Sequence, residues 1–288
     1  MRRRTALRAG GVLLLLLLAL LGGAFLVGLR EAVSRPVRRE ARLALAGWPR
    51  GAPPLRVALL SDIHLGNRAM TPERLGRIVE EVDAARPDVV LIAGDFLAGR
   101  RSDGAEEKAP ALTAPLSRLK APLGVVAVLG NHDYWTAPDA VRAALERAGV
   151  TVLANRAVQR GPLALLGVDD AFSGRDDVPA TLASARVRGV PVVLSHSPDV
   201  VHRLGAGFPL VLAGHTHCGQ VVLPWYGPVT TRAPLAGWKP LYDPRYRCGV
   251  IARDGRTVVV TAGLGSGTTP IRLGARPDWW LLTLAPRR

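Results

Sequence analysis

The chain has 288 residues and a formal net charge of +15, with 48% hydrophobic and 21% charged residues. That length suits one sizeable α/β domain with an appendage and is short for two. The charge is lopsided: residues 1–50 hold ten arginines against two glutamates, and the remaining +7 is dispersed without a basic block, which argues against a duplex-reading face and against a specific nucleic-acid partner.

The first eight residues are a basic N-terminus. Ala9 to Leu29 follows as 21 residues without a charge, which as a helix spans roughly 30 Å and matches a bilayer core. Arg3-Arg4-Thr5-Ala6-Leu7-Arg8 resembles a twin-arginine export signal, but Ala6 replaces a bulkier apolar residue and no clean A-x-A cleavage site follows, so a retained transmembrane anchor is expected. Arginines flank the run on both sides, leaving its orientation open. Residues 30–53 read as a basic, proline-punctuated connector. Val37, Leu43, Leu45 and Trp48 could rest on a membrane surface there, or the segment could be a solvated linker.

From Leu55 onward short apolar runs alternate with helical patterns, the rhythm of strands joined by crossover helices, so 54–286 is expected to be one α/β domain. Strands are predicted at 55–60, 89–93, 124–129, 163–168, 191–194, 210–213, 221–223, 248–252 and 257–261. Thr71-Pro72-Glu73 reads as a cap and first turn, with Leu75, Ile78, Val79 and Val82 on one helical face. A second helix is expected from Pro138 to Ala148, with shorter ones at 181–188 and 198–204. Residues 99–110 read as an exposed polar loop. Residues 224–247, rich in proline and carrying Trp225, Tyr226, Trp238, Tyr242 and Tyr246, read as a binding loop.

Polar residues of one chemical kind recur where the apolar runs end. Asp62-Ile63-His64 follows the first strand, and on an extended backbone residues i and i+2 share a side. Gly94-Asp95 closes the next, Gly130-Asn131-His132-Asp133 the third, Ser195-His196 a later one, and Gly214-His215-Thr216-His217 supplies another i, i+2 pair. Five of the six histidines lie in these motifs. Each alone could be a capping aspartate, a turn or a core histidine. Their recurrence in order at strand ends points to carboxylate, imidazole and amide ligands for two divalent cations. His202, mid-helix, reads as a surface residue, and Cys218 as a small neighbour of the site. Two cysteines, Cys218 and Cys248, are too few for a disulfide framework.

The series Ser61-Asp62-Ile63-His64-Leu65-Gly66, Gly94-Asp95, Gly130-Asn131-His132-Asp133, Ser195-His196-Ser197-Pro198-Asp199 and Gly214-His215-Thr216-His217-Cys218-Gly219-Gln220 resembles the calcineurin-like metallophosphoesterase superfamily. More narrowly it is similar to the bacterial membrane-associated branch of YkuE- and YaeI-type phosphodiesterases and UDP-2,3-diacylglucosamine hydrolases. The tail around Gly263-Leu264-Gly265-Ser266-Gly267 and Pro270-Ile271-Arg272 matches that branch as well. The resemblance implies a four-layer α/β/β/α sandwich with ligands at the carboxyl ends of strands. It implies Asp62, His64 and His217 on one metal, Asn131, His196 and His215 on the other, and Asp95 between them. His132 would be a catalytic non-ligand histidine and Asp133 its orienting partner. Two divalent ions are expected as cofactors, Mn²⁺ first, with Zn²⁺, Fe²⁺ or Mg²⁺ as alternatives. The expected substrate is a phosphodiester or pyrophosphate, small or lipid-linked, such as UDP-2,3-diacylglucosamine of the lipid A pathway. Cys218 stands where the branch usually has glycine, so it would crowd the site or offer a soft thiolate. Pro277-Asp278-Trp279-Trp280 departs from the usual Pro-Glu and an aliphatic residue. The competing readings are an envelope binding protein with structural metals and a nuclease or nucleotide phosphodiesterase.

Overall fold

The computed structural model describes residues 2–100, 104–233 and 237–287, with side chains from Gly10 onward. Helix α1 (Arg2–Ala32) contains a stretch, Gly10–Ala32, that is long and apolar enough to cross a membrane. The fold then runs β1 (Val37–Leu45), β2 (Leu55–Leu60), α2 (Pro72–Ala84), β3 (Val89–Ala93), α3 (Ala105–Lys108), α4 (Thr113–Leu116), β4 (Val125–Val128), α5 (Asn131–Thr136), α6 (Pro138–Arg147) and β5 (Val150–Leu153). A second unit follows with β6 (Arg156–Arg160), β7 (Leu163–Gly167), α7 (Val178–Ala183), β8 (Val190–Leu194) and β9 (Leu210–Ala213). Two small ribbons, β10 (Val222–Leu223) with β11 (Gly227–Pro228) and β12 (Arg232–Ala233) with β13 (Lys239–Pro240), precede β14 (Gly249–Arg253), β15 (Arg256–Val260) and β16 (Asp278–Pro286).

Two six-stranded sheets form, ordered β1-β16-β2-β3-β4-β5 and β14-β15-β9-β8-β7-β6. Strand alternation divides their side chains between layers. Val57, Leu59, Leu91, Val126 and Val128 face Leu165, Val192, Leu194, Leu212 and Val259 of the other sheet, forming an apolar seam between the two. Ala58, Leu60, Val90, Ile92 and Ala127 face the opposite way, onto Leu75, Ile78, Val79 and Val82 of α2 and Val141, Ala144 and Leu145 of α6. Val168, Val193, Val211, Val258 and Val260 pack outward on Val178, Val200, Val201 and Tyr246. The result is the α/β/β/α sandwich. Helix α2 begins as expected, with Thr71 Oγ1 accepting from Arg74 N at 3.3 Å and Pro72 in the first turn.

Three stretches differ from their sequence-based expectations. Residues 37–45 are a strand within the sheet, paired in parallel with β16, where a connector was expected. Leu45 and Trp48 are buried in the seam between the sheets, away from any membrane surface. The strand hides in the sequence because it lies at the sheet edge, where Arg38, Arg39, Glu40 and Arg42 face water, a charge pattern that protects an edge from further pairing. Of residues 99–110, 101–103 lie outside the described chain, and the rest contains α3, whose Ala105 is buried. The aromatic segment 224–247 contains the two ribbons; its residues 234–236 lie outside the described chain.

Candidate metal centre

All seven residues expected as ligands gather at one end of the sandwich, at the strand ends of both sheets, and each is buried. The backbone brings them there by leaving the strands abruptly. Asp62, His64, Asp95, His215 and His217 have φ between +48° and +70°, a left-handed region that Asp, Asn and His tolerate better than other residues do. Asp62 and His64 therefore converge through this turn, not through the pleat of an extended strand. Gly130 is needed for close packing: a Cβ there would overlap the Asp95 carboxylate and lie 2.7 Å from Asp95 N.

The carboxylate of Asp95 lies between two groups of side chains. Its Oδ2 is 3.5 Å from His64 Nε2 and 3.3 Å from His196 Nε2. On one side, His64 Nε2 is 3.1 Å from His217 Nε2, and Asp62 Oδ1 is 3.5 Å from His217 Nε2. On the other, His196 Nε2 is 3.1 Å from both Asn131 Oδ1 and His215 Nδ1.

Counting hydrogens tests whether cations fit. His64 Nδ1, His196 Nδ1 and His215 Nε2 face the carbonyls of Leu97, Ala93 and Leu241 at 3.4, 2.7 and 2.8 Å. These outer nitrogens donate, so the inner nitrogens of His64 and His215 carry lone pairs. On the second side, where the Asp95 carboxylate favours a protonated His196, a single proton on Nε2 faces Asp95, Asn131 and His215. On the first side, Arg272 can only donate and lies 3.0 Å from His217 Nδ1, so the ring proton of His217 sits on Nε2, facing His64 and Asp62. Each half of the cluster thus aims several lone pairs at one hydrogen. A divalent cation in each half would take the place of that hydrogen and satisfy the lone pairs together, His196 and His217 giving up their Nε2 protons to it. His217 is the exception among the imidazoles, since its outer nitrogen meets a guanidinium instead of a carbonyl.

Charge follows the same division. Burial holds the imidazoles of His64 and His215 neutral, with pKa values of about 3 and about 4, and burial together with Arg272 keeps His217 well below the ordinary range. Burial also works against the charged form of His196, but Asp95 overcomes it and raises that imidazole well above its ordinary value. Asp95 resists its own burial and stays well below the usual carboxylate range, because His196 and His132 lie beside it. Burial raises Asp62 to about 7. The inner nitrogens of His64 and His215 and the ionised Asp95 carboxylate are therefore already in donor states, while His196 and His217 would release a proton as a cation binds.

His132 and Asp133 differ from the arrangement expected of them. The His132 ring takes the Gly99 carbonyl as its Nδ1 partner. Asp133 does not orient that ring: its carboxylate accepts the backbone N–H groups of Asp95, Phe96, Leu97 and Gly130 at 3.0, 2.8, 3.2 and 2.9 Å. It therefore fixes the turn that carries Asp95. Burial and the nearby Asp95 push its pKa up to about 7 against those four donors. His132 N in turn donates to Asp95 Oδ1 at 2.8 Å, and a ring nitrogen of His132, a ligand nitrogen of His64 and a carboxylate oxygen of Asp95 lie within 4.8 Å of one another.

Cys218 is not a free thiolate. It is disulfide-bonded to Cys248, which ties the residue next to His217 to the start of β14. His202 is on the surface, 3.1 Å from Asp243 Oδ2. Beside the cluster opens a cavity of about 420 Å³, lined by His132, Trp135, Phe172, His215, Val221, Val229 and Leu241 with Arg100 and Arg232. Phe172 packs on His215 with ring centroids 4.6 Å apart. Trp135 and Phe172 carry no motif spacing, the one signal for Trp135 being its place within about one helical turn of Asn131; Arg272 belongs to the tail motif, but nothing in the sequence places it against His217.

Residues 55–219 match the family model for calcineurin-like phosphoesterases. The chain is 29% identical over 244 residues to the metallophosphoesterase YkuE of Bacillus subtilis (strain 168), covering 82% of this chain and 81% of that protein. It is 30% identical over 278 residues to a metallophosphoesterase of Helicobacter pylori (strain J99), covering 94% and 69%. It is also 30% identical over 270 residues to a transmembrane protein with a metallophosphoesterase domain of Danio rerio, covering 87% and 58%. With its strand-end motifs gathered into one cluster and most of its length matched, the chain belongs to the calcineurin-like phosphoesterase family of metal-dependent phosphoester hydrolases.

Proposed function

We propose that this protein is a membrane-anchored phosphoesterase that uses two divalent ions to cleave a phosphodiester or pyrophosphate bond in a lipid-linked substrate. The observation that carries the reading is the pair of donor groups sharing Asp95 beside a largely apolar cavity. Asp62, His64 and His217 would hold one ion and Asn131, His196 and His215 the other, with Asp95 lying between the two groups. When bound, the ions supply Lewis acidity toward phosphoryl oxygens and activate a water at neutral pH. Mn²⁺ is the first candidate for both positions.

The chain's own groups do the rest. His132, fixed through Nδ1 on the Gly99 carbonyl, turns its other nitrogen to the cavity and donates a proton to the leaving oxygen. Arg100 and Arg232 on the cavity wall attract the phosphate. Trp135, Phe172, Val221, Val229 and Leu241 offer apolar surface to an acyl chain. The apolar run Gly10–Ala32 supports a bilayer anchor, as does the name of the Danio rerio relative. The Cys218–Cys248 bond favours an oxidising compartment for the domain. That in turn favours lipid phosphoesters on the outer side of the membrane over a nucleotide-linked lipid such as UDP-2,3-diacylglucosamine.

The test is turnover of bis-p-nitrophenyl phosphate by chelator-stripped protein with Mn²⁺, Zn²⁺, Fe²⁺ or Mg²⁺ restored in turn, followed by lipid phosphodiesters and UDP-2,3-diacylglucosamine. Asp95→Asn should lose metal and turnover together. His132→Ala should keep its metal and lose about 10²–10⁴ in rate. Full activity in either variant contradicts the role assigned to that residue.

A further inference from the structure

The largest exposed apolar side chains outside α1 sit on the two ribbons that roof the cavity. Trp225 and Tyr226 at the β10–β11 tip are 105% and 74% exposed, and Trp238 at the β12–β13 tip is 62% exposed. None of the three lines the cavity, so they neither pack a core nor form the pocket wall. Large aromatics left in water at the ribbon tips mark an interaction surface. No Asp or Glu occurs between Cys218 and Tyr242, where Arg232 and Lys239 are the charged residues.

The identity of the partner comes from what lies beside these tips. The last turn of α1 is seated on the catalytic domain: Arg272 N donates to Gly28 O at 3.0 Å, and Gly274 N to the Glu31 carboxylate at 3.1 Å. That same 272–274 segment pairs with the root of the first ribbon, Leu273 N donating to Gln220 O at 2.9 Å and Val222 N to Leu273 O at 2.7 Å. Trp225 is three residues beyond Val222, a reach of roughly 10 Å along a strand. The end of the apolar helix and the aromatic tip are thus neighbours through one short segment of backbone.

We propose that Trp225, Tyr226 and Trp238 form a bilayer-docking surface that sits at headgroup depth in the membrane that α1 enters, turning the cavity mouth toward lipid. Tryptophan and tyrosine favour that depth because the ring is apolar and its N–H or O–H stays wet. The absence of acidic residues with Arg232 and Lys239 nearby suits anionic headgroups. The inference rests on the anchor reading above and adds to it a second contact, made by the domain itself.

The test uses the full chain in vesicles of phosphatidylcholine with a minor share of phosphatidylglycerol, the acyl chains brominated to quench tryptophan fluorescence. Trp48, Trp279 and Trp280 are buried and Trp135 lies half-buried within the cavity wall, so the two exposed tip tryptophans should supply most of the quenching. Wild-type fluorescence should be quenched, and the Trp225→Phe/Trp238→Phe variant should lose more than half of that effect. Trp225→Lys with Tyr226→Ser should slow cleavage of a vesicle-borne lipid phosphodiester about tenfold while cleaving bis-p-nitrophenyl phosphate at the wild-type rate. Protein that floats with the vesicles but is quenched equally with and without the two tryptophans overturns the proposal and leaves the anchor standing. Protein that fails to float overturns the anchor and the proposal with it. Oligomers in detergent that dissociate in the tip variant, without lipid quenching, assign the surface to a second copy instead.

Discussion

His132 and Asp133 are adjacent in sequence but serve different ends. The imidazole reaches the cavity, while the carboxylate turns inward and binds four backbone N–H groups around Asp95. Asp133→Asn would place an amide among those donors and loosen the Asp95 turn. Metal affinity should fall about 10–100-fold with the shape of the pH–rate profile preserved, as measured by metal titration and kinetics across pH. A shifted profile with metal retained would instead assign Asp133 to orienting the histidine. The ligand side chains were legible in the sequence because each follows an apolar strand and the same few residue types recur. What oriented them was not. The carbonyls of Ala93, Leu97, Gly99 and Leu241 are backbone groups that any residue would supply. Arg272, which faces His217, lies 55 residues away along the chain.

Among the elements, the edge strand β1 and the disulfide contribute most that the sequence concealed. Central strands announce themselves as short apolar runs, whereas an edge strand with four exposed charged residues reads as a linker. β16, buried on both sides and placed between β1 and β2, was likewise read only as the end of a motif. Deleting residues 1–34 should leave the domain soluble and folded. Deleting residues 1–46 removes β1 and the buried Leu45, exposes the open edge of β16, and should give aggregates by size-exclusion chromatography. The Cys218–Cys248 bond closes a loop across 30 positions of sequence, which by chain entropy is worth about 3–4 kcal/mol. Replacing both cysteines by serine should lower unfolding free energy by that order in denaturant titrations. It should also weaken metal binding, because His217 is the neighbour of the tethered residue. Unchanged metal affinity would restrict the bond to a role in stability.

At the scale of the molecule, alternation between strands and helices made the α/β class legible, and the recurrent motifs made the four-layer sandwich so through resemblance. Side chains facing both ways from each sheet then build three separate apolar layers. The two sheets meet the solvent at the end where the ligands cluster, so the ions should brace one sheet against the other. Chelation should therefore lower the melting temperature of the whole domain. Restoring Mn²⁺ at a thousandfold excess over its dissociation constant should return about 4 kcal/mol, seen by calorimetry as a single transition that moves with metal concentration.

The placement of β16 sets an order of events during biosynthesis. Among the described residues β1 has only β16 as its sheet neighbour, and β16 also separates β1 from β2. The ribosome delivers these partners more than two hundred residues apart, an interval of roughly tens of seconds at ordinary elongation rates. Throughout that time an N-terminal strand next to an apolar helix must wait unpaired. Insertion of the helix into lipid would tether this early segment beside the nascent domain, keeping it close until the closing strand arrives.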